Sequence, residues 1–378
     1  MKQIYLDYAS TTPLSQAVRT AMEPYFADSF YNPSALYLAA KQVKHDLEEA
    51  RASAAALLGV RPSELIFTAG TTEANNMVVR GLMALHEGAH CVVSAIEHDS
   101  VLHTVEAYSH SLLPVTDQGI IDTQSLPNLI RDDTILVSVM LANNELGTVQ
   151  PLAEVGKIVQ EVRAERSAKG NMLPLYLHTD AAQAFNYMQV LPHSLGVDFA
   201  VISGSKIYGP KQTALLFMKT GARIQPLISG GGQEWGMRAG TENVAGAIGL
   251  VAAMEEATAL RSQEAKRLKD LQLHFVEALK KQIPQATING SLKHRLPNNV
   301  HITIPGTDNE TLIMQLDEAG ILAAAGSACS ASSDEPSHVL TAIGLRDTDA
   351  RSSLRFTMGR ATTEEDIQHT VSTLAGLL

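Results

Sequence analysis

Lys206 lies in the segment Val201-Ile202-Ser203-Gly204-Ser205-Lys206-Ile207-Tyr208-Gly209-Pro210-Lys211, where an apolar run gives way to small, hydroxylated and glycine residues. The pattern predicts a buried strand that delivers one lysine into a tight turn. Burial favours the neutral form of an amine, and a neutral amine forms a Schiff base with an aldehyde. The hydroxyls of Ser203 and Ser205, with nearby backbone N–H groups, would hold a phosphate. A lysine imine beside a phosphate site is the attachment chemistry of pyridoxal phosphate.

Other segments carry groups that suit such a cofactor. Thr68-Ala69-Gly70-Thr71-Thr72-Glu73 joins a strand to a helix, so free N–H groups and the Thr72 hydroxyl would meet an anion. A plain threonine cap explains the same residues. In His178-Thr179-Asp180-Ala181-Ala182-Gln183 an acid ends an apolar strand and two alanines leave room beside it. Asp180 there would keep a pyridine nitrogen protonated, and Gln183 would reach the ring's phenolic oxygen; a helix cap is the alternative for Asp180. His98 ends Ala95-Ile96-Glu97-His98, where its ring would stack on a cofactor or shuttle protons; a satisfied histidine at a helix start is the alternative. His98, His103 and His110 lack the spacing of a metal-binding helix, which argues against zinc.

Asn144 follows a strand into a polar loop and would donate to cofactor or substrate. Arg355, in Ser353-Leu354-Arg355-Phe356, has the forked guanidinium that suits an amino acid's carboxylate, with a structural ion pair as the alternative. Gly326-Ser327-Ala328-Cys329-Ser330-Ala331-Ser332-Ser333-Asp334 sets one thiol among small residues, an accessible cysteine by composition. No cation adjoins it in sequence, so the site it visits would have to make its thiolate. Cys91, within an apolar strand, reads as an inert core residue. The glycine-rich stretch from Ser229 to Thr241 lacks the Gly-Lys-Ser/Thr of a nucleotide loop and implies close backbone approach.

These groups need a frame. From Glu64 to about Met218, short apolar strands alternate with helical stripes: Leu65–Thr68, a helix over 71–87, Cys91–Ser94, Thr134–Leu141, Leu175–His178, Phe199–Ile202 and Ala214–Phe217. Strands apolar on both faces and separated by helices predict an α/β fold with a mostly parallel sheet, which binds ligands beyond its carboxyl ends. A long helix ending before Pro284 follows, and the remainder reads as a small α+β domain. The boundary falls near Glu255, giving a large domain of 13–255 and a small one of 256–378 joined by residues 1–12. At 378 residues two unequal domains are the natural expectation. A formal charge of -11 argues against nucleic acid, and no apolar run is long enough for a membrane span. Two cysteines make no disulfide framework, and the first residues do not resemble a signal peptide, which predicts a cytoplasmic protein.

Together with Tyr5-Leu6-Asp7-Tyr8-Ala9-Ser10-Thr11-Thr12, Asn32-Pro33-Ser34, Asn143-Asn144-Glu145, Arg238 to Asn243 and Gly359-Arg360, these motifs occur in one order from end to end. In that order the chain resembles the cysteine desulfurases, pyridoxal-phosphate enzymes of the class V aminotransferase group with a fold-type I architecture. The stretch around Cys329 is similar to the subgroup with an extended cysteine loop. The resemblance implies Lys206 as Schiff-base lysine and proton carrier, Asp180 on the pyridine nitrogen, Gln183 on the phenolic oxygen and His98 stacked on the ring. It implies Thr72, Ser203 and Ser205 around the phosphate, joined by Thr241 from the other subunit of a homodimer, and Asn144 and Arg355 on the substrate. Cys329 would take sulfur from L-cysteine as a persulfide, release alanine and pass the sulfur to an acceptor protein for iron–sulfur cluster assembly or tRNA thiolation. Three departures stand out. Ser205 replaces the histidine usual before the lysine, which predicts a weaker hold on phosphate. Tyr37 stands where relatives often have histidine. The chain ends at Leu378, where some relatives carry an extension that contacts an iron–sulfur scaffold.

Overall fold

The computed structural model describes residues 3–326 and 336–378. Near the N-terminus lies a two-residue strand, β1 (Ile4–Tyr5). The central sheet follows from β2 (Leu65–Thr68), β3 (His90–Ser94), β4 (Ser109–Leu113), β5 (Thr134–Ser138), β6 (Tyr176–Asp180), β7 (Phe199–Ser203) and β8 (Ala214–Met218). Its seven strands run in the order β2-β8-β7-β6-β5-β3-β4. Neighbours are parallel except at β8, which is antiparallel to both β2 and β7. Apolar residues of β3, β5 and β7 are buried on both faces, as expected where helices cover both sides of a parallel sheet.

β4 was not expected from the sequence. It lies at the sheet edge and its Ser109, His110 and Leu112 are exposed, so it lacks the apolar signature of the inner strands. β5 ends at Ser138, three residues short of the expectation, although the Val139 and Leu141 N–H groups still donate to the His178 (3.1 Å) and Asp180 (2.9 Å) carbonyls of β6.

The helix Val244–Gln282 spans 39 residues and starts at Asn243, whose side chain accepts from the Gly246 N–H at 3.0 Å. Its first half packs Leu250, Val251, Met254 and Ala257 into the core beneath the large sheet. Its second half gives Leu268, Leu271, Phe275, Val276 and Leu279 to a separate core. Around that second core lie β9 (Thr287–Ile288), β10 (Asn299–Thr303), β11 (Ile321–Leu322) and β12 (Ser353–Thr357). β10 is the centre of an antiparallel β12-β10-β9 sheet, and β11 pairs in parallel with β1. The N-terminal segment thus adds a strand to the second core, then runs back across the carboxyl ends of the large sheet. No described helix is long and apolar enough to cross a membrane.

Candidate active site

The carboxyl ends of β2, β3, β5, β6 and β7 deliver most of the candidate residues, and β12 delivers Arg355. β7 ends at Ser203 and enters a single turn, Gly204–Lys206. Only glycine fits at 204, because a Cβ there would lie 2.2 Å from the Thr213 hydroxyl and 2.8 Å from the Pro210 carbonyl. Two residues past the lysine, Tyr208 has φ of 63°, a left-handed conformation costly for a bulky residue. Four contacts hold it there. Its N–H donates to Thr12 Oγ1 (2.8 Å), its carbonyl accepts from the Ser15 N–H (3.0 Å), and its phenolic oxygen accepts from the Arg360 N–H (2.8 Å). The Arg360 guanidinium lies 3.9 Å over its ring.

Residues 7–12 act as a hub. Lys206 Nζ donates to the Ser10 carbonyl, and Gln183 Nε2 donates to the Ala9 carbonyl at 2.9 Å. The Thr12 N–H and hydroxyl both donate to the Ser205 carbonyl at 3.0 Å. Arg355, 1% exposed, donates to Asp7 Oδ1 (2.7 Å), Ser10 Oγ (2.9 Å) and the Asn144 carbonyl (3.1 Å). One short segment therefore gathers Lys206, Gln183, Ser205 and Arg355, with Asn144 joined through Arg355. The ion pair with Asp7 was open as an alternative for Arg355, and it is present.

A second hub is Asn75, on the buried face of the helix Thr71–Leu85. Its amide donates to Asp180 Oδ2 (2.8 Å) and to Ser100 Oγ (2.9 Å). Asp180 also accepts from the Ala182 N–H at 2.9 Å. The Ser100 N–H donates to His98 Nδ1 at 3.0 Å, so a neutral His98 ring carries its proton on Nε2. Behind Asp180, His178 Nδ1 lies 2.8 Å from Ser138 Oγ, and full burial keeps the imidazole neutral. Glu97 is fully buried. Burial and the nearby Asp180 carboxylate push its carboxyl up to about 8, while its one bond, accepted from the Met140 N–H, works against the rise.

The phosphate candidates lie at two strand ends. Ser203 Oγ and Ser205 Oγ are 3.0 Å apart. Thr72 is the second residue of its helix, which begins at Gly70 with no side chain capping its first N–H groups. Thr241 is exposed in the loop before Val244 and makes no hydrogen bond to the other candidates among the described residues. Cys329 lies outside the described residues. The described chain leads toward it from Ala324, paired with the Arg355 backbone (2.6 and 3.1 Å), and leaves through Ser337 and His338. Ser337 Oγ donates to Glu145 Oε2 at 2.6 Å, and His338 Nε2 donates to the Glu97 carbonyl at 2.9 Å. Both flanks thus rest on residues adjoining Asn144, His98 and Arg355. Cys91 is buried in β3, and burial pushes its thiol up to about 12, as suits an inert core residue.

Sequence reading missed Asp7, Ser10, Asn75, Glu97 and the Ser337–His338 anchor. Asn75 left a trace, being a polar residue among the apolar positions of a helix face; Asp7 and Ser10 appeared only within the Tyr5–Thr12 motif, with no role attached to either.

A model of the class-V aminotransferases matches residues 4–370. A cysteine desulfurase IscS of Dictyoglomus turgidum is 41% identical over the whole chain and 95% of that protein. One of Methanosarcina thermophila is 41% identical over 97% of the chain and 89% of that protein. Among solved structures, a NifS-like protein superposes with a TM-score of 0.91 at 30% identity, covering 100% of this chain and 99% of its own. A structure described as SspA in complex with cysteine has a TM-score of 0.79 at 33% identity over 94% of this chain and 99% of its own. With the model matched almost end to end and the fold shared across its length, the chain belongs to the class-V aminotransferase family.

Proposed function

We propose that the protein is a pyridoxal-phosphate-dependent cysteine desulfurase. It would take the sulfur of L-cysteine onto Cys329 as a persulfide, release L-alanine and pass the sulfur to an acceptor protein for iron–sulfur cluster assembly or tRNA thiolation. The observation that carries the reading is the hub at Ser10, which binds the lysine and the carboxylate-type arginine at once. Relatives named cysteine desulfurase that match 97–100% of the chain support it.

The donor set fits the cofactor. Asp180, held by Asn75 and the Ala182 N–H, offers a fixed carboxylate for the pyridine nitrogen. Lys206 would hold the aldehyde carbon, Gln183 would face the phenolic oxygen and His98 would lie on the ring. Thr72, Ser203 and Ser205 offer hydroxyls and an uncapped helix start for the phosphate, with Thr241 serving the site of a second copy. When bound, the cofactor supplies an electron sink at the substrate's α-carbon. Arg355 and Asn144 orient the amino acid by its carboxylate. Lys206 Nζ carries the α-proton. The Cys329 thiolate bonds to the substrate sulfur, the carbon–sulfur pair stays on carbon, and a proton delivered by Lys206 completes alanine.

A homodimer is part of the proposal. Phe26 (66% exposed), Phe30 (66%), Leu36 (87%) and Leu38 (83%), close together in sequence, are large apolar side chains that a subunit contact would cover. The division into residues 13–255 and 1–12 with 256–378 is also proposed. The separate cluster around β10 supports it, while Ala257 and Leu296 pack with the large-sheet core and Val339 and Leu340 pack with Ile96 and Met140. A cytoplasmic setting is the expected one, with no nucleic-acid or membrane partner. The test compares the loaded protein with Cys329→Ala on L-cysteine. A persulfide mapped to Cys329, with turnover lost in the variant, is expected; undiminished sulfur release by the variant would defeat the mechanism.

A further inference from the structure

The β10–β12 pair has one apolar and one polar face. Val300, Ile302, Leu354 and Phe356 enter the second core, while Asn299, His301, Thr303, Ser353, Arg355 and Thr357 point the other way. The polar face is buried too, none of its residues more than 2% exposed. Buried polar groups need partners, and most of these form a directional chain. The Ser353 hydroxyl donates to the Asp349 carbonyl (2.8 Å), so the Thr303 hydroxyl donates to Ser353 Oγ (2.7 Å). Thr303 Oγ1 accepts from Asn289 Nδ2 (2.8 Å), whose second proton goes to His301 Nδ1 (2.9 Å). Nδ1 is thereby an acceptor, and the neutral ring carries its proton on Nε2. Burial, then Arg295 and Arg355, lower this imidazole to about 3, which keeps it neutral.

The chain stops at His301 Nε2, which has no partner among the described residues. His301 stands directly opposite Arg355 in the strand register, so the two side chains are neighbours on one face. Arg355 spends its terminal nitrogens on Asp7, Ser10 and Asn144, and its Nε is buried without a partner among the described residues. Asn299, two residues before His301 on that face, gives its amide to the Glu145 carbonyl (2.8 Å) and leaves Oδ1 likewise unpaired. Two donors and one acceptor match the three hydrogen bonds of a typical buried water.

We propose that His301, locked as its Nε2–H tautomer by Asn289, is a positioning residue that orients Arg355 for the substrate carboxylate through one acceptor shared by His301 Nε2 and Arg355 Nε. The inference rests on the reading of Arg355 as the carboxylate residue. A buried water donating to Asn299 Oδ1 meets the requirement.

The experiment compares kcat/KM for L-cysteine with that for cysteamine, which lacks the carboxylate, in the loaded enzyme. His301→Leu is expected to raise KM for L-cysteine about tenfold with kcat little changed, and to lower the cysteine-to-cysteamine ratio by a similar factor. His301→Gln, which restores a donor near Nε2, recovers most of the ratio. Should the leucine variant not fold, His301→Asn keeps the contact to Asn289 and drops the distal donor, and the same loss is expected. An unchanged ratio with only a lower melting temperature would make His301 a structural core residue and overturn the inference. Arg355→Gln separates the premises. If it lowers the ratio and the His301 variants do not, only the inference fails; if it leaves the ratio intact, the reading of Arg355 fails and the inference with it.

Discussion

Glu97 offers a prediction with a sign. Its carboxyl is fully buried, one oxygen accepting from the Met140 N–H and the other without a partner among the described residues, with the Asp180 carboxylate nearby. In the folded protein it titrates at about 8 against an ordinary 4.5. Between those values the unfolded chain has released the proton and the folded chain keeps it. The contribution of Glu97 to stability therefore falls as pH rises from about 4.5 to about 8, then levels off. At roughly 1.4 kcal/mol per pH unit the interval is worth about 5 kcal/mol as a ceiling. Local relaxation lowers this toward about 2–4 kcal/mol. Glu97→Gln preserves shape and an acceptor for Met140 but cannot ionise. In urea titrations of the cofactor-free protein, the wild type should lose stability relative to the variant across that window, because His178 and His301, buried neutral in both, move the two profiles alike. The variant should thus be the more stable protein at pH 8. Parallel pH profiles for the two proteins would refute a protonated Glu97.

Two further perturbations probe the supports of the site. Asn75→Ala removes a donor from Asp180 and from Ser100, leaving buried acceptors unmet, and should weaken pyridoxal phosphate binding about tenfold to a hundredfold in equilibrium titration. Glu234→Gln breaks a two-pronged ion pair with Arg51 in which both side chains are under 5% exposed. It should cost about 3–5 kcal/mol in urea unfolding, with Trp235, the only tryptophan and the next residue, reporting the loosened loop by its fluorescence.

The inner strands and the Lys206 turn were legible in the sequence because burial on both faces writes a run of apolar residues that ends abruptly in small ones. β4 was not, since an edge strand needs no apolar face. The sequence marked Lys206, Asp180 and His98 at or just beyond strand ends, and Arg355 within a strand, as candidates for chemistry. Their organisation was not legible there. Ser10 meets Lys206 across 196 residues, and Asp7 meets Arg355 across 348, so only the folded chain brings them together. The tautomer of His301 is similarly invisible in sequence, because it depends on hydroxyl directions fixed by Asp349 and Ser353. Arg355 shows the converse: the residue type suggested both a carboxylate site and an ion pair, and the structure shows the ion pair with Asp7, while the carboxylate role is a proposal.

The central claim is tested most directly by incubating the pyridoxal-phosphate-loaded protein with L-cysteine and a reductant and quantifying alanine and sulfide. Alanine and sulfide in equal amounts is the predicted result. A protein with the cofactor attached at Lys206 that yields no alanine from L-cysteine would contradict it.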